Sequence, residues 1–292
     1  MHLIAIIVAL WLHGRLDGHL PWRDEQRQLQ ALERVRGTVA GWGLWDGLVG
    51  MLLVLVPPVA LVGVLQWLLA DRLLGVMELG LGLVLLVWAL GEGRIDRRLD
   101  DLDRAIAAGD VAEAHHAARE LAPGVVVPEE PRAQLRAALA GAFQRGGDTV
   151  FGTIFWFLLA GPAGIVLYRL SYLLWRYAAR AREPGERLRQ YAQILFLGLG
   201  WIPARLSALA FGIAGSLGDA WRGWQQAHAS EGDGHRAALQ GAGMGALRWP
   251  DDEAAPGERL ETWVQEARQL LFRTLMVWLV AVAVLTLAGW VT

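Results

Sequence analysis

Two arginines stand inside long apolar stretches of this chain. Arg169 lies within FGTIFWFLLAGPAGIVLYRLSYLLW, residues 151–175, directly after Tyr168. Arg205 lies within ILFLGLGWIPARLSALAFGIAGSL, residues 194–217, shortly after Trp201. Each run is apolar enough to enter a bilayer, where about 20 residues make a span. An arginine at the bilayer centre costs roughly 2.5–3.5 kcal/mol on insertion scales, so such a cation usually faces protein or water and is a functional suspect. Each run also carries a break: Gly161-Pro162 ahead of Arg169, and Pro203 two residues before Arg205. Non-helical backbone at membrane depth is tolerated only where protein or a water-filled cavity satisfies it. Breaks and cations occurring together twice predict a cationic pocket for an anionic small molecule. Its candidate ligand-binding residues are Asp148, Tyr168, Arg169, Trp201 and Arg205. The competing reading has both arginines capping helix C-termini or snorkelling to headgroups.

The elements that must position these residues read as helices throughout. The 292 residues have a mean hydropathy of +0.33, and they include 15 Trp, no Cys and no Lys. This places the chain among membrane proteins. A formal net charge of −2 argues against a nucleic-acid partner, which needs a basic face. The absence of cysteine removes disulfides, thiolate metal sites and cysteine nucleophiles together.

Along the chain, Leu3–Leu12 is too short for a full span and reads as a partial or interfacial segment. His13, Arg15, Asp17 and His19 then form a juxtamembrane turn. Asp24–Val39 has the spacing of an amphipathic helix lying on the bilayer or on the rest of the protein. Leu44–Leu69, kinked at Pro57-Pro58, and Leu73–Leu90 are two spans joined at Asp71-Arg72, with tryptophans near their ends. Residues 1–90 thus form an N-terminal membrane region. Residues 91–148 form a helical insertion, with a hairpin turning at Gly109-Asp110. His115 and His116 lie on its solvated face, and adjacent histidines on a helix diverge by about 100°, a poor chelating pair. Residues 149–218 form a broken-helix core. Residues 219–292 read as a polar loop with the glycine cluster GAGMG, followed by a C-terminal span over Leu275–Val291 that enters from a helix beginning near Pro256. The cluster lacks a P-loop lysine and a preceding strand, so as a phosphate cradle it is weak. The reading contains no catalytic group, no metal site and no cofactor.

Arginine is dense before the first span (Arg23, Arg27, Arg34, Arg36) and after the second (Arg94, Arg97, Arg98, Arg104). The positive-inside rule puts both in the cytoplasm, and with them the insertion 91–148. A further basic run, Arg176–Arg189, follows the first broken segment. One crossing there would put it outside, whereas a re-entrant path turning at Gly161-Pro162 would keep both ends inside.

FWFLLAGPAGIVLYRL followed by GWIPARL resembles the AmpE/CobD family of bacterial inner-membrane proteins. That family pairs a beta-lactamase-regulation branch with a cobalamin-biosynthesis branch (CobD, also called CbiB). The resemblance implies a multi-pass membrane protein. The CobD branch is similar to an ATP-dependent ligase joining aminopropanol phosphate to a corrinoid carboxylate. It carries the pattern ESLAENTxDGVxAPLFW, which here meets AGAFQRGGDTVFGTIFW, residues 140–156. Only the aspartate remains, as Asp148; the two glutamates meet Ala140 and Gln144, and the asparagine meets Arg145. Ser171 and Leu174 stand where the enzymes carry asparagine and aspartate, and LFLGLG (195–200) where they carry LDDxxN. Phosphoryl chemistry needs carboxylates to hold Mg²⁺. The loss of these carboxylates points to the AmpE branch, and resemblance to that branch implies an inner-membrane sensor or modulator in beta-lactamase induction and cell-wall recycling. Its expected partners are the lipid bilayer, an anionic small-molecule ligand and a cytoplasmic or membrane protein. A CobD-like ligase is the alternative.

Overall fold

The computed structural model describes residues 2–15, 24–39, 45–69, 76–91, 95–122, 125–180, 185–231, 234–250 and 260–289. Long Leu/Val/Ala runs satisfy their backbone polar groups internally by forming helices, and no strand occurs among the described residues. In chain order the helices are α1 (His2–Arg15), α2 (Glu25–Val39), α3 (Leu48–Leu69), α4 (Val76–Leu90), α5 (Ile95–Ala108), α6 (Val111–Leu121) and α7 (Pro131–Arg145). A π turn, Gly146–Phe151, leads into α8 (Gly152–Arg180), followed by α9 (Glu186–Ala214) and α10 (Leu217–Glu231). The short α11 (Gly234–Arg236), a second π turn (Ala237–Gly241), α12 (Ala242–Leu247) and α13 (Leu260–Leu287) complete it. Four stretches are long and apolar enough to cross a membrane: Leu48–Leu69, Pro131–Arg180, Glu186–Ala214 and Leu260–Leu287. The protein is an all-α polytopic membrane protein.

The chain resolves into two units. One comprises Met1–Glu92, Gly152–Trp201 and Val282–Thr292; the other comprises Gly93–Phe151 and Ile202–Ala281. The expected insertion thus shares a unit with the segment that begins inside α9.

In the first unit, α1 buries Ala5, Ile6 and Ala9 and packs on α4. Helix α3 continues through Pro57 and Pro58. Helix α4 has 15 residues, about 22 Å at 1.5 Å per residue and so short of a hydrocarbon core of about 30 Å. Residues 73–75 of the span expected over Leu73–Leu90 lie outside the described residues. Helix α8 reverses at Gly161, whose φ of 60° and ψ of −150° belong to a region that only glycine enters readily. A Cβ on Gly164 would overlap the carbonyl oxygen of Trp156, and one on Gly152 would overlap the ring of Tyr168. In a continuous helix, residues eight apart are separated by about 12 Å. Gly152–Ala160 and Pro162–Arg180 are therefore two antiparallel arms. Pro162 sits at the first position of the second arm, where its missing N–H costs nothing. Gly161 has no side chain to cap that arm. Gln66 of α3 supplies the cap instead, its Oε1 accepting from the Ala163 N–H at 3.3 Å.

Helix α9 differs from the expected broken segment: it stays helical from Glu186 to Ala214 through Pro203. Pro203 offers no N–H to the carbonyl of Leu199. The indole N–H of Trp156 fills that role at 3.1 Å. The proline is accommodated by a partner from the first motif, so no break is needed.

In the second unit, α5 and α6 form the expected hairpin. Gly109 turns it at φ +68°, and the Asp110 side chain caps α6 by accepting from the Glu113 N–H at 3.0 Å. Glu130 caps α7 through the N–H groups of Arg132 (2.9 Å) and Ala133 (2.5 Å). Phe143, Phe151, Phe211 and Trp278 form an aromatic core with ring centroids 5.3–6.1 Å apart. The expected polar loop after residue 218 is instead largely helical, as α10 to α12. Its glycines are packing surfaces: Gly241 against Gly223 and Ala227 of α10, Gly245 against the Asp219 backbone, and Gly243 against Phe143. Helices with glycine at their contact can approach closely, which explains the cluster without any phosphate. Asp17, His19, Arg23, Asp71-Arg72, Arg94, Pro256 and Val291 lie outside the described residues.

Candidate functional site

Asp148 sits in the middle of the first π turn and is 4 % exposed. Gly146 and Gly147 precede it and leave room for close packing. A Cβ on Gly147 would overlap the δ-methyls of Leu239, so the two π turns pack directly on one another. One extra residue per turn re-aims side chains, and π turns recur at functional sites for that reason. Here the turn brings Asp148 Oδ1 to 2.7 Å from Nε2 of His235, itself 8 % exposed. Oδ2 accepts from Gln144 Nε2 at 3.4 Å, and Gln144 Oε1 accepts from Gln240 Nε2 at 2.7 Å. With Asp148 ionised, His235 donates from Nε2. The result is a buried His–Asp pair extended by two amides. Arg145 is also buried, and its Nε has no hydrogen-bond partner among the described residues.

Arg205 approaches the same segment from α9. Its Nη2 lies 3.7 Å from where a Cβ on Gly234 would stand, and so does Cε1 of His228 from α10. The Arg205 guanidinium also lies over the Trp224 ring, 5.9 Å from its centroid, a distance at which a cation is drawn to an aromatic face. Asp148 and Arg205 therefore flank consecutive residues, His235 and Gly234.

The other candidates belong to the first unit. Arg169 is 3 % exposed and donates from Nη2 to Gln28 Oε1 of α2 at 2.7 Å. Its guanidinium lies 5.4 Å from the Tyr172 ring centroid. About two helical turns further on, Arg176 donates to Glu25 at 3.0 and 3.1 Å, and the Tyr177 hydroxyl donates to Glu33. Helix α2 thus docks its polar face against α8, with Leu32 buried in the same contact. Tyr168 is buried against Phe196, centroids 5.8 Å apart. Trp201 is 55 % exposed.

His235 and Gln240 have no role in the reading of the sequence, and Gln144 enters it only as the residue that meets a glutamate of the ligase pattern. His235 follows a polar stretch with no motif, and only the packing of the two π turns brings it to Asp148. The docking of α2 had a signal, since Glu25, Gln28, Leu32 and Glu33 fall on one helical face.

Comparison with known proteins gives two results. The chain matches the family described as regulatory signalling modulator protein AmpE over residues 30–291. It is also similar to the cobalamin biosynthesis protein CobD of Chromobacterium violaceum, 30 % identical over 190 residues, 62 % of this chain and 57 % of that protein. For the protein of the same description from Stutzerimonas stutzeri the figures are 30 % over 169 residues, 56 % and 54 %. The chain spans little more than half the length of either relative. No solved structure matches. A family match covering nearly the whole chain, including both apolar motifs and the segments that meet at Asp148 and His235, decides the matter: the chain belongs to the AmpE family.

Proposed function

We propose that this protein is an inner-membrane modulator in beta-lactamase induction and cell-wall-recycling signalling, one that binds an anionic ligand without turning it over. The observation that carries this is the company Asp148 keeps. Its partners are an imidazole and an amide, and Gln144 stands where the ligase pattern has a glutamate. Ser171 donates to the carbonyl of Tyr168 at 2.7 Å within its own helix. Leu174 lies in the apolar core. The positions at which the ligase pattern places an asparagine and an aspartate are thus used here for helix and core contacts. The bilayer is the environment, the insertion 91–148 faces the cytoplasm by its arginines, and a cytoplasmic or membrane protein receives the signal.

The test is an induction assay in a bacterium whose own AmpE-family protein has been removed. Restoring the chain should restore normal beta-lactamase induction by a beta-lactam, and Asp148→Asn should weaken it. Identical induction with and without the chain would overturn the regulatory reading. The second reading, a CobD-like ligase, draws on the two relatives of 30 % identity. Mg·ATP consumption by the purified protein with aminopropanol phosphate and a corrinoid acid would favour it.

A further inference from the structure

We propose that the outward face of α2 is a contact surface for anionic phospholipid headgroups. This stands apart from the signalling reading, since it needs only the membrane setting of the first unit. Helix α2 sorts its charges by face. Glu25 turns to Arg176 at 3.0 Å and to Arg180 at 3.9 Å. Glu33 accepts from the Tyr177 hydroxyl and from Arg36. Gln28 meets Arg169, and Leu29 and Leu32 turn into the core that holds Tyr172, Leu173 and Phe196. At 100° per residue, Arg27, Gln30, Arg34 and Thr38 fall on the opposite side of the helix, and all four are exposed. Arg27 and Arg34 stand about 10.5 Å apart along that side. Asp24 lies 3.8 Å from Arg27 while capping the helix through the Gln26 N–H. Arg34 makes no ion pair among the described residues. The outward face therefore carries two cations against one carboxylate.

The docking also fixes where that face points. Glu25 and Glu33 are about 12 Å apart along α2, yet they meet Arg176 and Tyr177, adjacent residues of α8. Two parallel axes would spread such partners over about eight residues. The axis of α2 therefore lies across that of α8. Helix α8 belongs to a stretch apolar enough to cross a membrane, and residues 176–180 are its basic end. A helix lying across that end runs in the plane of the bilayer surface. With one face turned to α8, the other meets the surrounding lipid at headgroup level. Arginine suits that depth, because its stem lies on apolar matter while its guanidinium reaches phosphate oxygens with two parallel N–H groups. Each basic residue near an anionic surface strengthens the contact about fivefold. An acidic protein segment has the same charge, but the level at which α2 lies favours the lipid.

The experiment uses the full chain, which has no cysteine, with Ala31→Cys carrying a nitroxide. Residue 31 is exposed and stands between the two arginines. The labelled protein is placed in nanodiscs of phosphatidylcholine alone, and of phosphatidylcholine mixed with phosphatidylglycerol. Power saturation then reads how often the nitroxide meets a neutral, water-soluble nickel chelate. Phosphatidylglycerol should lower that accessibility severalfold. Arg27→Gln combined with Arg34→Gln should abolish the decrease, and Arg27→Lys with Arg34→Lys should keep it, since the attraction needs the charge. Arg273→Gln, at an exposed arginine on another helix, should leave the decrease unchanged, and melting curves confirm that each variant is folded. Equal accessibility in both kinds of disc, or protection that survives the paired glutamine changes, overturns the lipid surface. Protection that arises only when a soluble cell fraction is added to phosphatidylcholine discs gives the face to an acidic protein and overturns it equally.

Discussion

The indole N–H of Trp156 donates to the carbonyl of Leu199 at 3.1 Å, and that carbonyl is the one Pro203 leaves without its helical donor. A hydrogen bond thereby joins the two apolar motifs. Trp156→Phe should lower stability by about 1 kcal/mol, the net worth of a hydrogen bond to a part-buried acceptor. Pro203→Ala returns an N–H to Leu199, so Trp156→Phe should cost less in that background. A double-mutant cycle on thermal unfolding measures the difference; additive effects would show that the two residues are independent.

Gly161 carries the reversal of α8. Gly161→Ala should destabilise by about 1–3 kcal/mol, because its backbone conformation disfavours any Cβ and that Cβ would meet the Gln66 amide. Gln66→Ala should cost about 1 kcal/mol as a lost cap. The chain has no cysteine, so single introduced thiols report topology cleanly. If the hairpin is re-entrant, Arg136→Cys and Arg187→Cys label from the same side of the membrane. Labelling from opposite sides would mean that the segment crosses once.

Arg169 anchors α2 through Gln28. Arg169→Ala should cost about 1.5–3 kcal/mol, as for a buried hydrogen bond to a charged group, and Gln28→Ala should add little to it. Limited proteolysis of α2 should accelerate in either variant. An unchanged cleavage rate would mean that α2 is held by its apolar face alone.

Asp148 and His235 depend on each other. Removing either partner leaves a buried polar group uncompensated, at a cost of about 3–5 kcal/mol for a charged one. Asp148→Ala and His235→Ala should therefore couple by about 1–3 kcal/mol in a double-mutant cycle. Coupling near zero would dissolve the pair.

Asp219 predicts an acid limb. Hydrogen bonds from Ser216 and Arg222, the charge of Arg222 and a hydrogen bond from Arg248 hold its carboxyl below the usual carboxylate range. A depressed folded-state value means stability that is complete above the ordinary carboxylate pKa of about 3.9 and lost as pH falls through the folded value. The melting-temperature gap between wild type and Asp219→Asn should be constant from pH 7 to 5 and close below about pH 4. A gap that persists at pH 2 would point to packing.

What the sequence determined by itself follows from local chemistry. Apolar length decided that α3, α8, α9 and α13 can enter a membrane. Period and capping residues decided α2 and the α5–α6 hairpin, because Asp110 and Gly109 act on their own neighbours. The reversal point at Gly161 was legible because only glycine tolerates that backbone. Tertiary structure decided the rest. Pro203 reads as a break until Trp156 supplies the missing donor. The glycines of GAGMG read as a loop until Gly223, Phe143 and the Asp219 backbone are seen against them. Arg169 reads as a free cation until Gln28 is placed beside it. His235 carries no signal at all, since a lone histidine acquires meaning only when a distant carboxylate, Asp148, is brought within 2.7 Å of it. The Asp148–His235 and Gln28–Arg169 pairs join residues 87 and 141 apart in the chain, and no local period or spacing encodes which ones meet.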